Sequence, residues 1–277
     1  MVKNNLIQPI TRKECRQKEW KENDQQQQTT RYKRVHFPEE PEMEKIKYYQ
    51  PEKDRKRRRK KPRGKKIRKI ILLYANINGV KGKIKSLETA VKASNCDIVM
   101  ITETKGRPPQ MEGFKWYHKE RISTTGGGVA IGIRDEIAKY TGEIKDMEDQ
   151  NQEIIWIESQ IPGNSKLYLG CYYGPQEREK REEVERQYSQ IETQIHRLQQ
   201  QGSVILGGDF NAKLEVSKQG AMQQESRNGH ILSKLIEKTS MVPINLESTT
   251  GMWTRVNRNR DEEKTIIDYI LTCPRTT

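Results

Sequence analysis

Between residues 70 and 271, eight short apolar runs rich in β-branched residues alternate with three amphipathic stretches, and five of these runs close on or carry an amide, a carboxylate or a phenol. The runs span 70–75, 97–102, 128–133, 153–159, 166–173, 203–208, 242–245 and 265–271. They have strand lengths, and several are apolar at consecutive positions, as strands covered on both faces are. The amphipathic stretches predict helices over 83–93, 177–200 and 228–238. In the second, Val184, Tyr188, Ile191, Ile195 and Leu198 form one apolar stripe on a polar helix, which packs that face on a core. The stripe is too short to favour a coiled coil. Alternating strands and helices with hairpin-like strand pairs predict an α/β (α+β) architecture, two sheets packed together and covered by helices.

The rest of the chain has another character. Of its 277 residues only 32% are hydrophobic and 6% aromatic, against 32% charged, which is too apolar-poor for a wholly folded chain. Residues 1–68 are predicted to be a disordered, basic N-terminal tail with a glutamine tract at Gln25 to Gln28, and 69–277 the folded domain. The formal charge of +14 sits mainly in residues 53–69, which hold 13 Lys or Arg and one acid, Asp54, for +12; the remaining charge is +2. Such a run is either a solvated spacer or, functionally, a nuclear localisation signal or a contact for nucleic-acid phosphates. The expected compartment is the nucleus or the cytoplasm. Cys15, Cys96, Cys171 and Cys273 lack metal-ligand spacing, and no signal peptide or ~20-residue apolar span accompanies them. Secretion and membrane insertion are not expected.

The chemistry lies at the strand ends. The first run leads into Asn76-Ile77-Asn78-Gly79, the second into Glu103-Thr104, the fifth into Tyr173-Gly174-Pro175 and the sixth into Gly208-Asp209-Phe210-Asn211; the last holds Asp268 in Ile267-Asp268-Tyr269. Each alone has a plain structural explanation, because Asp and Asn after a strand are most often turn formers. Together, one amide, two or three carboxylates and a phenol at one sheet end suit a hard cation and a phosphate. Mg²⁺ takes oxygen ligands, keeps several waters and uses one or two protein carboxylates beside substrate phosphate oxygens. Phosphodiester cleavage also needs a placed water and neutral donors facing the developing charge.

This ordered series, through Gly208-Asp209-Phe210-Asn211-Ala212 and Ile267-Asp268-Tyr269-Ile270-Leu271, resembles the motifs of the endonuclease/exonuclease/phosphatase superfamily over residues 69–277. Asn76-Ile77-Asn78-Gly79, Gly126-Gly127-Gly128-Val129-Ala130-Ile131 and Trp253-Thr254-Arg255 bring it nearest to the apurinic-type endonuclease domains of non-LTR (LINE-type) retrotransposons. The resemblance implies a four-layer α/β sandwich of two mixed sheets and a DNA-nicking, Mg²⁺-dependent phosphodiesterase for which Mn²⁺ substitutes. By position, Glu103 would be the main metal ligand and Asn76 its support. Asp209 would orient or deprotonate the attacking water, Asn211 and Tyr173 would donate to the scissile phosphate, and Asp268 would orient a histidine. Asn78 and Thr254 would line the DNA side.

That histidine is the departure. The family places it in a Ser-Asp-His-like motif one strand past the Asp268 position, but nine residues follow Asp268 and none is histidine; His36, His118, His196 and His230 fall outside the motif positions. The expectation is a domain truncated at its C-terminus, from a polyprotein with a reverse transcriptase encoded downstream or from a decayed element copy, and weakened in catalysis. Two rival readings are another phosphoesterase of the same superfamily and a non-catalytic nucleic-acid-binding remnant.

Overall fold

A computed structural model of the chain describes residues 2–3, 69–121, 126–147, 149–218, 221–247, 253–257 and 263–273. Of the expected tail only Val2–Lys3 is described, and it forms a strand beside Leu72–Leu73 where disorder was expected; the glutamine tract and nearly all of the basic run lie outside the described residues. The first sheet is built from β1 (Val2–Lys3), β2 (Leu72–Asn76), β3 (Ile98–Thr102), β4 (Phe114–Lys119) and β5 (Val129–Arg134), in the order β1-β2-β3-β5-β4. The second contains β6 (Thr141–Glu143), β7 (Glu153–Ser159), β8 (Leu167–Tyr173) and β9 (Ser203–Asp209). After the hairpin of β10 (Val216–Lys218) and β11 (Ala221–Gln223) comes β12 (Val242–Pro243). The hairpin of β13 (Arg255–Asn257) and β14 (Glu263–Thr265) leads to β15 (Asp268–Thr272), and the second sheet runs β12-β15-β9-β8-β7-β6. The helices described are α1 (Ile84–Ser94), α2 (Asp135–Ala138), α3 (Arg181–Gln199), α4 (Arg227–Thr239) and α5 (Ile244–Glu247).

A parallel strand pair needs a long crossover, and each sheet has one inside the folded domain: β2 and β3 joined through α1, β8 and β9 through α3. Both units send their carboxyl ends to the same side of the molecule, and the antiparallel β15 brings its first residue there. Tyr74, Met100 and Ile131 of the first sheet pack against Ile155, Leu169 and Ile270 of the second. The helices form the outer layers. Leu87 and Val91 of α1 cover Leu73 and Val99, and the whole stripe of α3 is buried with Trp156, Tyr168 and Leu206. Each such side chain contributes about 1.5–3 kcal/mol of burial. The sandwich of helix, sheet, sheet and helix is the one the resemblance implied. Gly207 sets the spacing of the two sheets at its position, since a Cβ there would lie 2.9 Å from the Met100 sulfur.

Several sequence boundaries need correction, and three of the differences have a plain physical reason. The expected strand 242–245 stops at Pro243, whose ring removes the donor that a continuing ladder needs. The turn of α5 follows, and Asn245 makes the missing ladder bonds with its side chain: its amide donates to Asp268 O at 2.9 Å and its carbonyl accepts from Ile270 N at 3.0 Å. The expected strand 265–271 is two elements, Thr265 ending β14 and Asp268 opening β15. The edge strand β4 was missed because Phe114–Lys119 mixes lysines with aromatics and only Tyr117 is buried.

Tyr269 ties this corner together. Its hydroxyl accepts from Leu214 N at 3.0 Å and lies 2.8 Å from Ile266 O and 3.2 Å from Ala212 O. Tyr269→Phe leaves the buried Leu214 amide short of its acceptor and removes one donor to the carbonyls, and chemical denaturation should show a loss of about 1–3 kcal/mol. An unchanged midpoint would mean that water replaces the hydroxyl.

Candidate active site

The strand register assembles the site. Asn76 and Thr102 are partners at the ends of β2 and β3, and Glu103 is the next residue. On the second sheet Tyr173, Asp209 and Asp268 are neighbours across β8, β9 and β15. The turns that leave these strands hold non-glycine residues in the left-handed region: Asn78 at φ 46°, Glu103 at 54°, Lys105 at 50° and Asn211 at 46°. Such conformations are rare outside glycine, tolerated best by Asn, and cluster at functional sites.

Asn76 joins the two sheets. Its amide donates to Glu103 Oε1 at 2.9 Å and to Asp209 Oδ2 at 2.8 Å, and its carbonyl accepts from Asn78 N at 3.1 Å. Asp209 is 3% exposed and its other oxygen accepts from Asn211 N at 3.0 Å. The Asn211 amide donates to Gly174 O at 2.8 Å, which fastens it to the turn after Tyr173. Asp268, 4% exposed, accepts from the Tyr74 hydroxyl at 2.7 Å, and Tyr74 is also 2.9 Å from the Thr102 hydroxyl. The Thr254 hydroxyl accepts from Ile267 N at 3.0 Å and Asp268 N at 3.2 Å, so it faces inward as a brace for β15. The recorded partners of the Asp268 carboxylate are thus Tyr74 and Thr254, where the motif pattern has a histidine.

Three carboxylates therefore meet at one edge. Burial, then the charge of Asp268, pushes the Asp209 carboxyl well up, against the Asn211 and Asn76 hydrogen bonds that favour its charged form. Burial pushes Asp268 up to about 6, with Glu103 adding to the effect. Tyr173 is raised by burial and by the Glu103 and Asp209 charges, and Tyr74 by burial and by Asp268 and Asp209. One cation against this group is Lys105, whose ammonium lies 3.1 Å from Glu103 Oε2 and also donates to Asn78 Oδ1.

The donor set fits a hard divalent cation. Its carboxylate oxygens come from Glu103, Asp209 and Asp268, with the Asn76 amide nitrogen turned to the first two, and buried carboxylates this close together favour a neutralising charge. Among the described residues no three His, Cys, Asp or Glu side chains form a metal cage. The structure brings five of the residues singled out above into one hydrogen-bond network, Asn76, Asn78, Glu103, Asp209 and Asn211, with Asp268 opposite Asp209 in the strand register. Tyr173 stands beside Asp209. Sequence reasoning missed Tyr74, Thr102 and Lys105. Tyr74 precedes Asn76 by two on a strand, hence on the same face, which was the available signal. His118 lies 3.1 Å from the Thr104 hydroxyl, next to Glu103 in sequence, with its pKa lowered by burial.

The model of the endonuclease/exonuclease/phosphatase family matches residues 73–277, most of the chain. The chain belongs to this family. Membership places it among phosphoesterases. Solved structures share the fold of this family member at low identity. The 3′-5′ exonuclease NExo from Neisseria meningitidis aligns with a TM-score of 0.54 and 14% identity over 73% of this chain and 86% of its own. An AP endonuclease from Archaeoglobus fulgidus aligns with a TM-score of 0.52 and 17% identity over 73% and 86%. No curated protein matches at the level of sequence. Among the described residues of this family member, no helix is long and apolar enough to cross a membrane.

Proposed function

We propose that the chain is a Mg²⁺-dependent phosphodiesterase that nicks DNA, the endonuclease domain of a non-LTR retrotransposon polyprotein. The observation that carries this reading is Asn76 bridging Glu103 and Asp209 where the carboxyl ends of both sheets converge. Glu103 and Asn76 would hold the ion, with Mn²⁺ able to take its place. When bound, the ion supplies positive charge for the phosphate oxygens.

The remaining work falls to side chains. Asp209 orients the attacking water and takes its proton, a role suited to a carboxylate fixed by the Asn76 amide and the Asn211 main chain. The water oxygen bonds to phosphorus as the bond to the leaving sugar oxygen breaks. Tyr173 and Asn211 donate to the non-bridging oxygens without adding charge. Asp268 keeps its carboxylate fixed through Tyr74 and Thr254 at the foot of the site. Asn78, exposed on the rim beside Lys105, faces the DNA side. The sequence's basic run supplies affinity for the DNA backbone that weakens as salt is raised.

Residues 1–277 incubated with supercoiled plasmid and Mg²⁺ should yield nicked circles, lost with EDTA and in Asp209→Ala. A folded chain that binds plasmid but never nicks it, with Mg²⁺ or Mn²⁺, overturns the nuclease reading and leaves a nucleic-acid-binding protein.

A further inference from the structure

The proposed reaction leaves one partly buried ion pair unused. Glu153 opens β7 directly across from Tyr173 at the end of β8. Its side chain is 14% exposed. One carboxylate oxygen accepts the Gly128 amide at 2.7 Å, and the other accepts the Arg121 guanidinium. The Arg121 guanidinium lies over the Tyr173 ring, 5.3 Å from its centre.

Withdrawing two charges from water is costly unless the geometry is tight and every polar atom is satisfied. Here the main chain is shaped around the pair. Gly127, at φ 72°, runs so close that a methyl group would overlap both the Glu153 carboxylate and the Arg121 guanidinium. A methyl on Gly128 would overlap the Thr104 hydroxyl. The triple glycine is where the backbone closes over an Arg–Glu pair beside the site.

The chemistry of the partners gives the pair a use. A guanidinium only donates, while a phenol has one proton and two acceptor positions. With Arg121 set over the ring and anchored by Glu153, the ring is held in place, and its phenol proton, which a guanidinium cannot accept, is left to point at another acceptor. In the proposed reaction that acceptor is a phosphate oxygen. We propose that Arg121, held by Glu153, is a positioning residue that fixes the Tyr173 phenol as a donor to the scissile phosphate. This rests on the phosphodiesterase reading above.

Two measurements test it. In Mg²⁺-dependent nicking, Arg121→Ala should lower kcat by about 10–100-fold, the range for groups that orient a residue at the site. KM should change little, and Arg121→Lys, which lacks the fork, should recover only part of the loss. Added to Tyr173→Phe, Arg121→Ala should cost almost nothing more, because its effect passes through the phenol. Equal losses in both backgrounds, or a raised KM with kcat intact, overturn the proposal and assign Arg121 to direct DNA contact. The second measurement needs no turnover. In protein labelled with ¹³Cζ-tyrosine, the Tyr173 resonance, assigned by its absence in Tyr173→Phe, should move in Arg121→Lys and in Glu153→Gln without metal or substrate. A resonance that stays in place overturns the proposal. If the parent chain never nicks, the nuclease reading falls, and the resonance still decides whether Arg121 holds the phenol.

Discussion

Asp209→Asn is expected to lower Mg²⁺-dependent nicking by a factor on the order of 10²–10⁴, the range spanned by general acid–base groups. The same substitution should change how the metal-free protein responds to pH. Asp209 lies against Asp268 across β9 and β15, almost wholly out of water. Burial and the Asp268 charge raise its folded pKa above the ordinary value of 3.8. The folded state then holds the proton more tightly than the unfolded chain. Stability from this carboxyl is fully present below 3.8 and is lost as pH rises through the folded value. Asp268 follows the same course, up to about 6. In EDTA, the parent's Tm should fall between about pH 4 and pH 7, and the fall should be shallower in Asp209→Asn, where one of the two titrating groups is gone. Parallel melting profiles would show that the two carboxylates do not repel each other, and full nicking activity would remove Asp209 from the reaction.

Much of this arrangement was readable before the fold was known, for a physical reason. A strand buried on both faces must be apolar along its length, so a polar residue at its end stands out. Asn76, Glu103, Tyr173 and Asp209 each follow or close such a run. The helices were readable because one-sided burial imposes a helical period, and the stripe of α3 is buried as spaced. What stayed hidden lacks such periodicity. Arg121 and Glu153 are 32 residues apart, and their pairing follows from the β7–β8 register and from a loop that has no pattern of its own. Tyr74 reads as one more apolar strand residue, and only the packing of the two sheets turns its hydroxyl onto Asp268, 194 residues away. The end of β12 was misread because Asn245 imitates a strand with its side chain.

Glu103→Gln is expected to remove the protein's response to Mg²⁺ while leaving its fold intact. The neutral side chain has the same shape, and its oxygen can still accept from the Asn76 amide that now binds Glu103 Oε1. What it gives up is the ion pair to Lys105, which is partly exposed. Such a pair contributes about 0–1 kcal/mol, so the melting temperature in EDTA should stay close to the parent's. With metal the two proteins should part. Free Mg²⁺ at a hundred times its Kd stabilises a binding protein by about 2.7 kcal/mol, which for a domain of this size is about 5–10 °C in Tm. The parent should show that rise, and Mn²⁺ should produce it too. Glu103→Gln should show almost none, because a neutral amide replaces the carboxylate that attracts the ion. Nicking should fall by at least about 100-fold, since replacing even a partner one step behind a ligand costs 10–100-fold. A Mg²⁺-dependent rise that survives in Glu103→Gln would put the ion elsewhere, on the Asp209–Asp268 pair. A rise lost in Glu103→Gln but kept in Lys105→Ala would show that the ion and the Lys105 ammonium share one carboxylate, with the ion prevailing when present.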